Sequence, residues 1–529
     1  MITWSIIAIV FLISWSIIYF QLKWTPVYSD HKLNLSCVYQ VKHNGNRFIN
    51  ERQDSLFNKG MVYPQLLYWV WSLLPIKTIK RYSVYTTLLF RFLSSICFVI
   101  FLHFLAPYTG LPYDSFVIYA SILYAFTPFT YNTENAKNLG LSGRGMGLFF
   151  CEVYTYCLFL FIVSGNPILL ILATFAGLLI FLSSQFAIQF LIFGSSILSI
   201  LFLDWSFILV LMGSFTLFFL GFHKYAKRYI KLQFAHKRMY FKVISHSPTL
   251  KFRTSIWTQL YKDFWLDTIQ VIRGRGDKKK LLKSVLTNPV IVVIVSFPTL
   301  VLMLIYTIAS PSAFSELSVM QQAGAMILSM AISFILTSFN STRFLGEPQR
   351  YIECITPFIA ILGTGLFYDQ PYLLHASIWV GVGLAVIQPA LYVKFKLKTS
   401  GERRLQYIKS LGNKIDVLSE VQNIAAQDQR VLSNNSQHVK NLLNGERKVF
   451  WGPAISNKVG SFTYEQVFSD FPNLNEKLIP DLIKEFKINF LLLDLKSVSN
   501  CSEILGADGY QLTLKSEFSD LRLYQIDLL

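Results

Sequence analysis

Two acidic residues lie beside long apolar segments in a part of the chain where acids are scarce. Residues 1–400 hold only 14 Asp and Glu, against 33 Lys and Arg. Asp30 stands in the sequence Tyr-Ser-Asp-His-Lys, and Glu134 stands in a polar stretch between apolar windows. A carboxylate in such a place is suited to act as a general base or a metal ligand, and His31 could assist Asp30. The alternative is an ordinary charge at a helix end.

Three arginines lie at the edges of other apolar segments. Arg144 is flanked by glycines that would let the backbone approach another group closely. Arg343, Glu347 and Arg350 share the sequence Arg-Phe-Leu-Gly-Glu-Pro-Gln-Arg. The planar guanidinium of arginine can bind a phosphate or pyrophosphate with two parallel hydrogen bonds. Arg144, Arg343, Glu347 and Arg350 are therefore candidate substrate ligands. The alternatives are a flexible turn at Arg144 and an interface anchor at Arg350.

Gln185 lies between two apolar windows and is a candidate buried hydrogen-bonding group. A satisfied core amide is the alternative for this residue. The six cysteines form no CxxC pattern and no cluster with histidine, which disfavours structural zinc. The sequence requires no cofactor, and a divalent metal near Asp30 stays open.

The composition shows which elements must position these groups. Of the 529 residues, 53% are hydrophobic and 15% are charged, against about 25% charged in ordinary soluble proteins. The chain contains 46 Phe, 27 Tyr and 10 Trp. So few charges cannot cover so much apolar surface in water, and the composition therefore predicts a multi-spanning membrane protein.

Apolar windows predict about eleven membrane-spanning helices, the first of them uncleaved. The windows are 2–22, 85–106, 112–130, 147–164, 167–183, 186–203, 205–222, 289–309, 318–338, 352–368 and 373–393. The nearly unbroken run 167–222 is expected to hold three helices. Its predicted breaks are Ser183-Ser184-Gln185 and Asp204-Trp205. The predicted fold is an all-α polytopic membrane domain.

Two connections in this domain are long, namely 23–84 and 223–288. The second holds 16 Lys and Arg against three Asp, and it interleaves basic and aromatic residues from 223 to 243. This pattern is typical of an amphipathic helix on an anionic membrane surface. Nucleic acid would suit similar residues but does not suit a membrane-embedded chain. In the first connection, the apolar segment 66–74 is too short to span and is expected to lie in the interface.

The charge balance changes near residue 400, where the basic, apolar body gives way to a near-neutral tail. The predicted domains are therefore a transmembrane domain, 1–400, and a small soluble α/β domain, 401–529. Strands are predicted at 448–451, at 488–494 and, as an edge strand, at 521–526, with a helix at 475–487. The tail carries no phosphate loop or nucleophile motif, which favours a lid, docking or stabilising role.

The sequence gives conflicting signals about orientation. With a cytoplasmic N-terminus, alternation of the spans puts Asp30, Glu134, Gln185, the basic loop, Arg350 and the tail on the external face. The positive-inside rule favours the opposite side for 223–288 and for the lysines at 394–398. We adopt the alternation, because it brings the candidate chemical groups to one side. The expected location is the cytoplasmic membrane, with the tail outside.

This layout resembles the GT-C membrane glycosyltransferases, which include protein mannosyltransferases, aminoarabinose transferases and oligosaccharyltransferase catalytic subunits. Asp30 matches the acid of the first external loop in that superfamily, and Glu134 matches a second acid after the third helix. The large loop after the seventh span and the α/β tail also match. Asp30 is followed by His31 rather than by a second acid, and the tail lacks the WWD-type signature of oligosaccharyltransferases.

The resemblance implies transfer of a sugar from a polyprenyl-phosphate donor, with inversion, to a glycan, lipid or protein acceptor. It implies Asp30 first and Glu134 second as the base, and a basic loop that holds lipid-linked phosphate at the surface. A transporter or flippase of lipid-linked glycans, or a polymerase, is the alternative. A transporter would more often show internal repeats, and none is visible here. A non-enzymatic membrane scaffold is a third possibility.

Overall fold

The computed structural model describes most of the membrane-embedded part and a portion of the tail. The described residues are 2–24, 29–49, 63–131, 140–242, 265–277, 281, 289–310, 318–339, 342, 345, 348–390, 430–434, 448–449, 458–469, 473–495, 498, 504, 506, 508–518 and 521–529.

The described part is mainly helical and ends in a small sheet. In chain order its α-helices are α1 (Ile2–Trp24), α2 (Ser29–His43), α3 (Leu66–Ser72), α4 (Ile76–Tyr82), α5 (Thr86–Leu105), α6 (Tyr113–Ala125), α7 (Gly143–Ser164), α8 (Ile168–Ser183), α9 (Gln185–Phe202), α10 (Ser206–Gly221), α11 (His223–Lys242), α12 (Asp267–Ile272), α13 (Pro289–Ser296), α14 (Pro298–Ala309), α15 (Ser318–Thr337), α16 (Thr356–Phe367), α17 (Pro371–Ala390), α18 (Tyr464–Val467) and α19 (Ile479–Phe486). A 3-10 helix, Pro348–Ile355, precedes α16.

The strands of the tail are β1 (Arg430–Ser433), β2 (Lys448–Val449), β3 (Lys458–Val459), β4 (Phe462–Thr463), β5 (Phe490–Asp494), β6 (Tyr510–Phe518) and β7 (Leu521–Leu528).

Contacts divide the chain into two compact units. Unit 1 comprises Met1–Pro26, Val84–Gly221 and Arg253–Lys394. Unit 2 comprises Val27–Ser83, Phe222–Phe252 and Phe395–Leu529. The domain boundary predicted near residue 400 lies outside the described residues and stays a prediction.

Six helices among the described residues are long and apolar enough to cross a membrane. They are Ile2–Lys23, Ile76–Tyr108, Gly143–Ser164, Gln185–Phe202, Ser318–Thr337 and Pro371–Ala390. A helix overlaps each of the eleven predicted windows, but several of these helices are too short to cross a membrane on their own. The number eleven is therefore not confirmed. For example, Pro298 divides the window 289–309 because proline cannot donate a backbone hydrogen bond within a helix.

The two breaks predicted in the run 167–222 are confirmed, and local chemistry explains the second. Leu203 takes a left-handed conformation with φ 51°, which ends α9. The Asp204 carboxylate then accepts a hydrogen bond from the Ser206 backbone N–H at 2.8 Å. This Asx turn, in which the side chain binds the backbone two residues on, fixes the chain just before the next helix.

Small residues let the helices of unit 1 pack closely. α8 packs against both α7 and α10, and a Cβ atom on Gly177 would overlap the side chain of Ser214 on α10. Aromatic pairs fill the neighbouring core, such as Phe98 and Tyr124 with ring centroids 4.1 Å apart. Dispersion and close approach of this kind hold membrane helices together, because lipid gives no hydrophobic drive between them.

The tail in unit 2 is α/β, as predicted. Its main sheet has the order β2-β1-β5-β7-β6, with β1 parallel to β2 and β5, and β7 antiparallel to β5 and β6. The prediction of β7 as an edge strand is wrong, because β6 pairs with its other side. The predicted helix is confirmed: Asn475 accepts from the Lys477 N–H, and Pro480 lies in the first turn of α19.

Candidate functional site

The start of α7 is held tightly against the turn between α8 and α9. Ser142 caps α7 and accepts a hydrogen bond from the Arg144 backbone N–H at 3.3 Å. A Cβ atom on Gly143 would lie 2.9 Å from the Ser183 carbonyl oxygen, and one on Gly147 would overlap that of Ser184. The glycines around Arg144 therefore permit the close backbone approach that the sequence predicted.

This approach brings Arg144 to the first turn of α9. The guanidinium carbon of Arg144 lies 5.0 Å from the centroid of the Phe186 ring. A cation over an aromatic face is attracted by the ring quadrupole, so the ring helps to fix the arginine. Arg144 and Gln185, which the sequence singled out separately, thus lie at neighbouring helix starts.

The same end of α9 carries two buried amides. Gln185 and Gln189 are each 8% exposed, and their spacing of four residues places them on one face of the helix. The Tyr351 hydroxyl donates to Gln189 Oε1 at 3.4 Å, and the Tyr351 ring meets Phe193 edge to face at 5.8 Å between centroids. Tyr351 follows Arg350 directly in the 3-10 helix, so the backbone of Arg350 lies close to this cluster.

The other predicted site residues are placed less fully. Asp30 is the second residue of α2, so the first loop begins as a helix in unit 2, but its side chain is not among those described. His31 is half-buried in the same turn. Arg350 is described as backbone only. Glu134, Arg343 and Glu347 lie outside the described residues.

The sequence missed Gln189 and Tyr351. A Gln-x-x-x-Gln pattern within an apolar helix was the available signal for Gln189. Tyr351 carried no local signal, because its contact with Gln189 joins residues 162 apart in the chain. The structure also shows a partner for the buried acid Glu152: the Tyr124 hydroxyl donates to Glu152 Oε1 at 3.4 Å.

A metal site finds no support in the part of the chain that the structure describes. No group of three His, Cys, Asp or Glu side chains lies together there. The side chains of Asp30 and Glu134 are not in that part, so a divalent metal near them stays open.

Helix α11 has two different faces within unit 2. Tyr225 and Tyr229 are buried, and the Tyr225 ring meets Phe48 edge to face at 5.2 Å between centroids. The opposite face exposes Lys224, Lys227, Lys231 and Phe234. The helix predicted from 223–243 is therefore confirmed as amphipathic, with its aromatic residues divided between the two faces.

The C-terminal end of α11 contacts the tail. Arg238 and Lys242 pair with Glu465 of α18 at 3.4 and 3.3 Å. These groups are substantially exposed, so the pairs contribute little to stability.

Comparison with known proteins identifies the fold. No protein-family model and no curated protein matches the sequence. Among solved structures, the oligosaccharyltransferase AglB from Archaeoglobus fulgidus, in complex with an inhibitory peptide and a dolichol-phosphate, is similar with a TM-score of 0.53. The likeness has 11% identity and covers 94% of this chain and 70% of that chain.

Two further structures are similar over nearly the whole chain. The Archaeoglobus fulgidus oligosaccharyltransferase with Zn and sulfate has a TM-score of 0.50 and 12% identity, covering 97% of this chain and 72% of that chain. ArnT from Cupriavidus metallidurans, bound to undecaprenyl phosphate, has a TM-score of 0.42 and 10% identity. The likeness covers 98% of this chain and 97% of that chain.

The chain therefore has the fold of these archaeal oligosaccharyltransferase structures, which confirms the resemblance drawn from the sequence at the level of fold. It is an integral membrane protein built mainly from helices, with a small C-terminal sheet. Fold alone does not assign a reaction.

Proposed function

We propose that the chain is an integral membrane glycosyltransferase that moves a sugar from a polyprenyl-phosphate donor to an external acceptor. The observation that carries the proposal is the cation–π contact of Arg144 with Phe186, at two helix starts that also hold Gln185 and Gln189. A cation beside neutral polar groups at the end of an apolar bundle suits a ligand with a lipid tail, a phosphate and a sugar. The fold likeness to archaeal oligosaccharyltransferases supports the same class of reaction.

The reaction follows from the chemistry of such a donor. The acceptor hydroxyl attacks the anomeric carbon from the face opposite the phosphate. The new carbon–oxygen bond forms as the bond to the phosphate oxygen breaks, so the configuration inverts. The bonding electron pair leaves on the phosphate, and Arg144 would stabilise the charge that develops there. A carboxylate takes the hydroxyl proton.

Asp30 is the proposed base, and Glu134 is the second choice. Both rest on their places in the sequence and on the resemblance to the superfamily. Arg343, Glu347 and Arg350 are proposed to contact the donor on the same grounds, with His31 assisting Asp30. The contact between Tyr351 and Gln189 supports the assignment of Arg350, because it places the backbone of Arg350 near the buried amides.

Unit 2 supports the proposed external face. The first loop, α11 and the tail all belong to this one compact unit. A single compact unit would lie on one side of a bilayer, so these three segments are proposed to share the external side. The proposed acceptor on that side is a glycan, a lipid or a protein.

The experiment compares transfer with transport. The chain is reconstituted in vesicles with radiolabelled undecaprenyl-phosphate sugars, and covalent transfer of label to added glycan, lipid and peptide acceptors is followed. We expect labelled acceptor to form. Movement of the labelled lipid between leaflets without any covalent transfer would contradict the proposal and favour a flippase.

A further inference from the structure

Gln189 is a polar residue buried within the helical bundle, where an amide is costly to place. It lies in α9, a helix apolar enough to cross a membrane, and it is buried at 8% exposure. Burying an amide away from water is costly unless both of its ends find hydrogen-bond partners. Gln185, one turn earlier on the same face, is equally buried.

The hydrogen bonds of Gln189 are incomplete. Its Oε1 accepts from the Tyr351 hydroxyl at 3.4 Å, while its Nε2 has no acceptor among the residues that the structure describes. Rotating the amide by 180° would not solve this, because a tyrosine hydroxyl can also accept from the nitrogen. The oxygen would then be the end left over. In either orientation, one end of the amide has no hydrogen-bond partner among the residues that the structure describes.

The surroundings of Gln189 indicate a neutral ligand. Tyr351 supplies a hydroxyl, and Phe193 packs edge to face on the Tyr351 ring at 5.8 Å. The positive charge of Arg144 lies at the first turn of α9, over the Phe186 ring. A phosphate would be drawn to this arginine, whereas an amide that can donate or accept suits a hydroxyl group, which can do both.

We propose that Gln189, with its amide held by Tyr351, binds a hydroxyl of the sugar carried by the lipid donor. The inference rests on the proposed function, since it deepens the donor site to which Arg144 would contribute. Gln185 lies on the same face and would contact the neighbouring part of the sugar. Gln189 thereby becomes a residue that selects the sugar.

A purely structural role makes a different prediction. If Gln189 only links α9 to the 3-10 helix, its replacement lowers stability and affects all ligands equally. If it binds the sugar, its replacement affects lipids that carry the sugar and leaves the sugar-free lipid phosphate unchanged. Comparing the binding of sugar-bearing and sugar-free lipids therefore distinguishes the two roles, which a measurement of activity alone would not do.

The first measurement is thermal stabilisation of the full-length chain in detergent. The probes are undecaprenyl phosphate alone and undecaprenyl phosphate linked to glucose, mannose or galactose. We expect at least one sugar-bearing lipid to bind the unaltered chain more tightly than the sugar-free lipid. For Gln189→Met, that advantage should fall about 10- to 100-fold, as expected for one lost buried hydrogen bond. Affinity for undecaprenyl phosphate alone should not change.

The matched control is Gln388→Met on α17. Gln388 also lies in an apolar helix and has an Oε1 atom without a hydrogen-bond partner in the described structure, but it is only half-buried. This variant should keep the full preference for the sugar-bearing lipid. If Gln189→Met does not fold, Tyr351→Phe provides the test, because it removes only the hydroxyl that holds the amide. It should reduce the same preference by a smaller factor.

Deoxy sugars identify the hydroxyl. Removing the bound hydroxyl from the preferred lipid should weaken its binding to the unaltered chain but not to Gln189→Met. The inference is overturned if the unaltered chain prefers no sugar-bearing lipid. It is also overturned if Gln189→Met weakens sugar-free and sugar-bearing lipids equally. Absence of sugar transfer together with a preference that depends on Gln189 would instead refute the proposed function and leave a sugar-lipid binding site.

Discussion

The guanidinium of Arg144 lies over the ring of Phe186, with 5.0 Å between the guanidinium carbon and the ring centroid. The contact joins the start of α7 to the start of α9, and both helices begin at the same end of the bundle. A cation near the face of an aromatic ring is attracted by the ring quadrupole, which helps to fix the position of the guanidinium. The ring therefore helps to orient the donors that a phosphate would meet.

Replacement of Arg144 tests this arrangement. Arg144→Lys keeps the charge but loses the planar fork that binds a phosphate with two donors, so transfer should fall while the chain still folds. Arg144→Gln removes the charge as well and should reduce kcat by about 10²-fold, the loss typical of one missing donor at a developing negative charge. Transfer from radiolabelled undecaprenyl-phosphate sugar in membranes is the measurement.

Arg81 provides the matched control for Arg144. Its guanidinium carbon lies 5.3 Å from the centroid of the Tyr82 ring, but Arg81 is exposed on α4 and has no proposed role. Arg81→Gln should leave transfer unchanged. Equal losses in Arg144→Gln and Arg81→Gln would argue against a specific phosphate contact at Arg144.

Gly147 should be intolerant of even one added carbon. A Cβ atom there would overlap Ser184 and lie 3.0 Å from the Cβ of Ala187, so α7 and α9 would have to move apart. Gly147→Ala should lower the free energy of unfolding by about 1–3 kcal/mol, the usual cost of overpacking. Thermal unfolding in detergent, followed by tryptophan fluorescence, measures the change.

Gly383 in α17 is the control for this substitution. Nothing lies within 4 Å of a Cβ atom built at Gly383, so Gly383→Ala should be tolerated and should stabilise the helix by up to about 1 kcal/mol. A Gly147→Ala variant as stable as the unaltered chain would show that the approach of α7 to α9 is not tight.

The sequence predicted local features of this fold better than contacts between distant segments. Breaks at Ser184 and Asp204 were visible because polar residues interrupt an apolar run, and Arg144 stood out between glycines. β7 was predicted as an edge strand because its own sequence alternates, but whether a strand lies at an edge depends on its neighbour. The pairing of β6 along β7 is a contact between strands that the alternation of β7 does not encode.

The candidate site shows the same division. Arg144 and Gln185 were recognised one at a time from their neighbours in the sequence. Their proximity depends on how α7 meets α9, and the contact of Gln189 with Tyr351 depends on packing between residues 162 apart. Local patterns identify unusual residues, while tertiary packing decides which of them meet.

Helix α11 should bind anionic lipid surfaces. It carries seven Lys and Arg and no acid, and it exposes Lys224, Lys227 and Lys231 beside Phe234. Each basic residue near an anionic surface contributes about 1 kcal/mol, and added salt screens this attraction. A peptide of residues 223–242 should bind vesicles containing phosphatidylserine and dissociate as the salt concentration rises.

Replacing those three lysines with glutamine should weaken binding of the peptide by about 3 kcal/mol in total. Neutral vesicles are the second control, and the peptide should bind them only weakly through Phe234 and Phe241. Equal binding to neutral and anionic vesicles would remove the electrostatic explanation.

Cysteine labelling tests the sidedness of unit 2. Asn44 and Ser461 both belong to unit 2 and are exposed, so cysteines introduced there should react from the same, external side with an impermeant reagent. The native cysteines in the described part are buried or half-buried. Labelling of the chain without introduced cysteines measures their background reaction. Labelling of the two positions from opposite sides would contradict both the orientation and the proposed external site.

Asp30→Asn gives the sharpest test of the proposed reaction. Asp30 is the acid nearest the end of the first apolar helix, and Glu51 is the next acid along the chain. Asparagine keeps the shape and a hydrogen-bonding group but cannot take up the acceptor proton. The variant should fold normally and lose about 10²–10⁴-fold in transfer, the usual contribution of a positioned base.

Glu51→Gln, in the same loop and with no proposed role, should transfer sugar at the normal rate. Both variants are compared in membranes with radiolabelled undecaprenyl-phosphate sugar, after matching the amount of folded protein. Full activity of Asp30→Asn would move the base to Glu134, which Glu134→Gln then tests. If both variants kept full transfer activity, neither carboxylate would accept the proton, and the base would have to be another group of the chain.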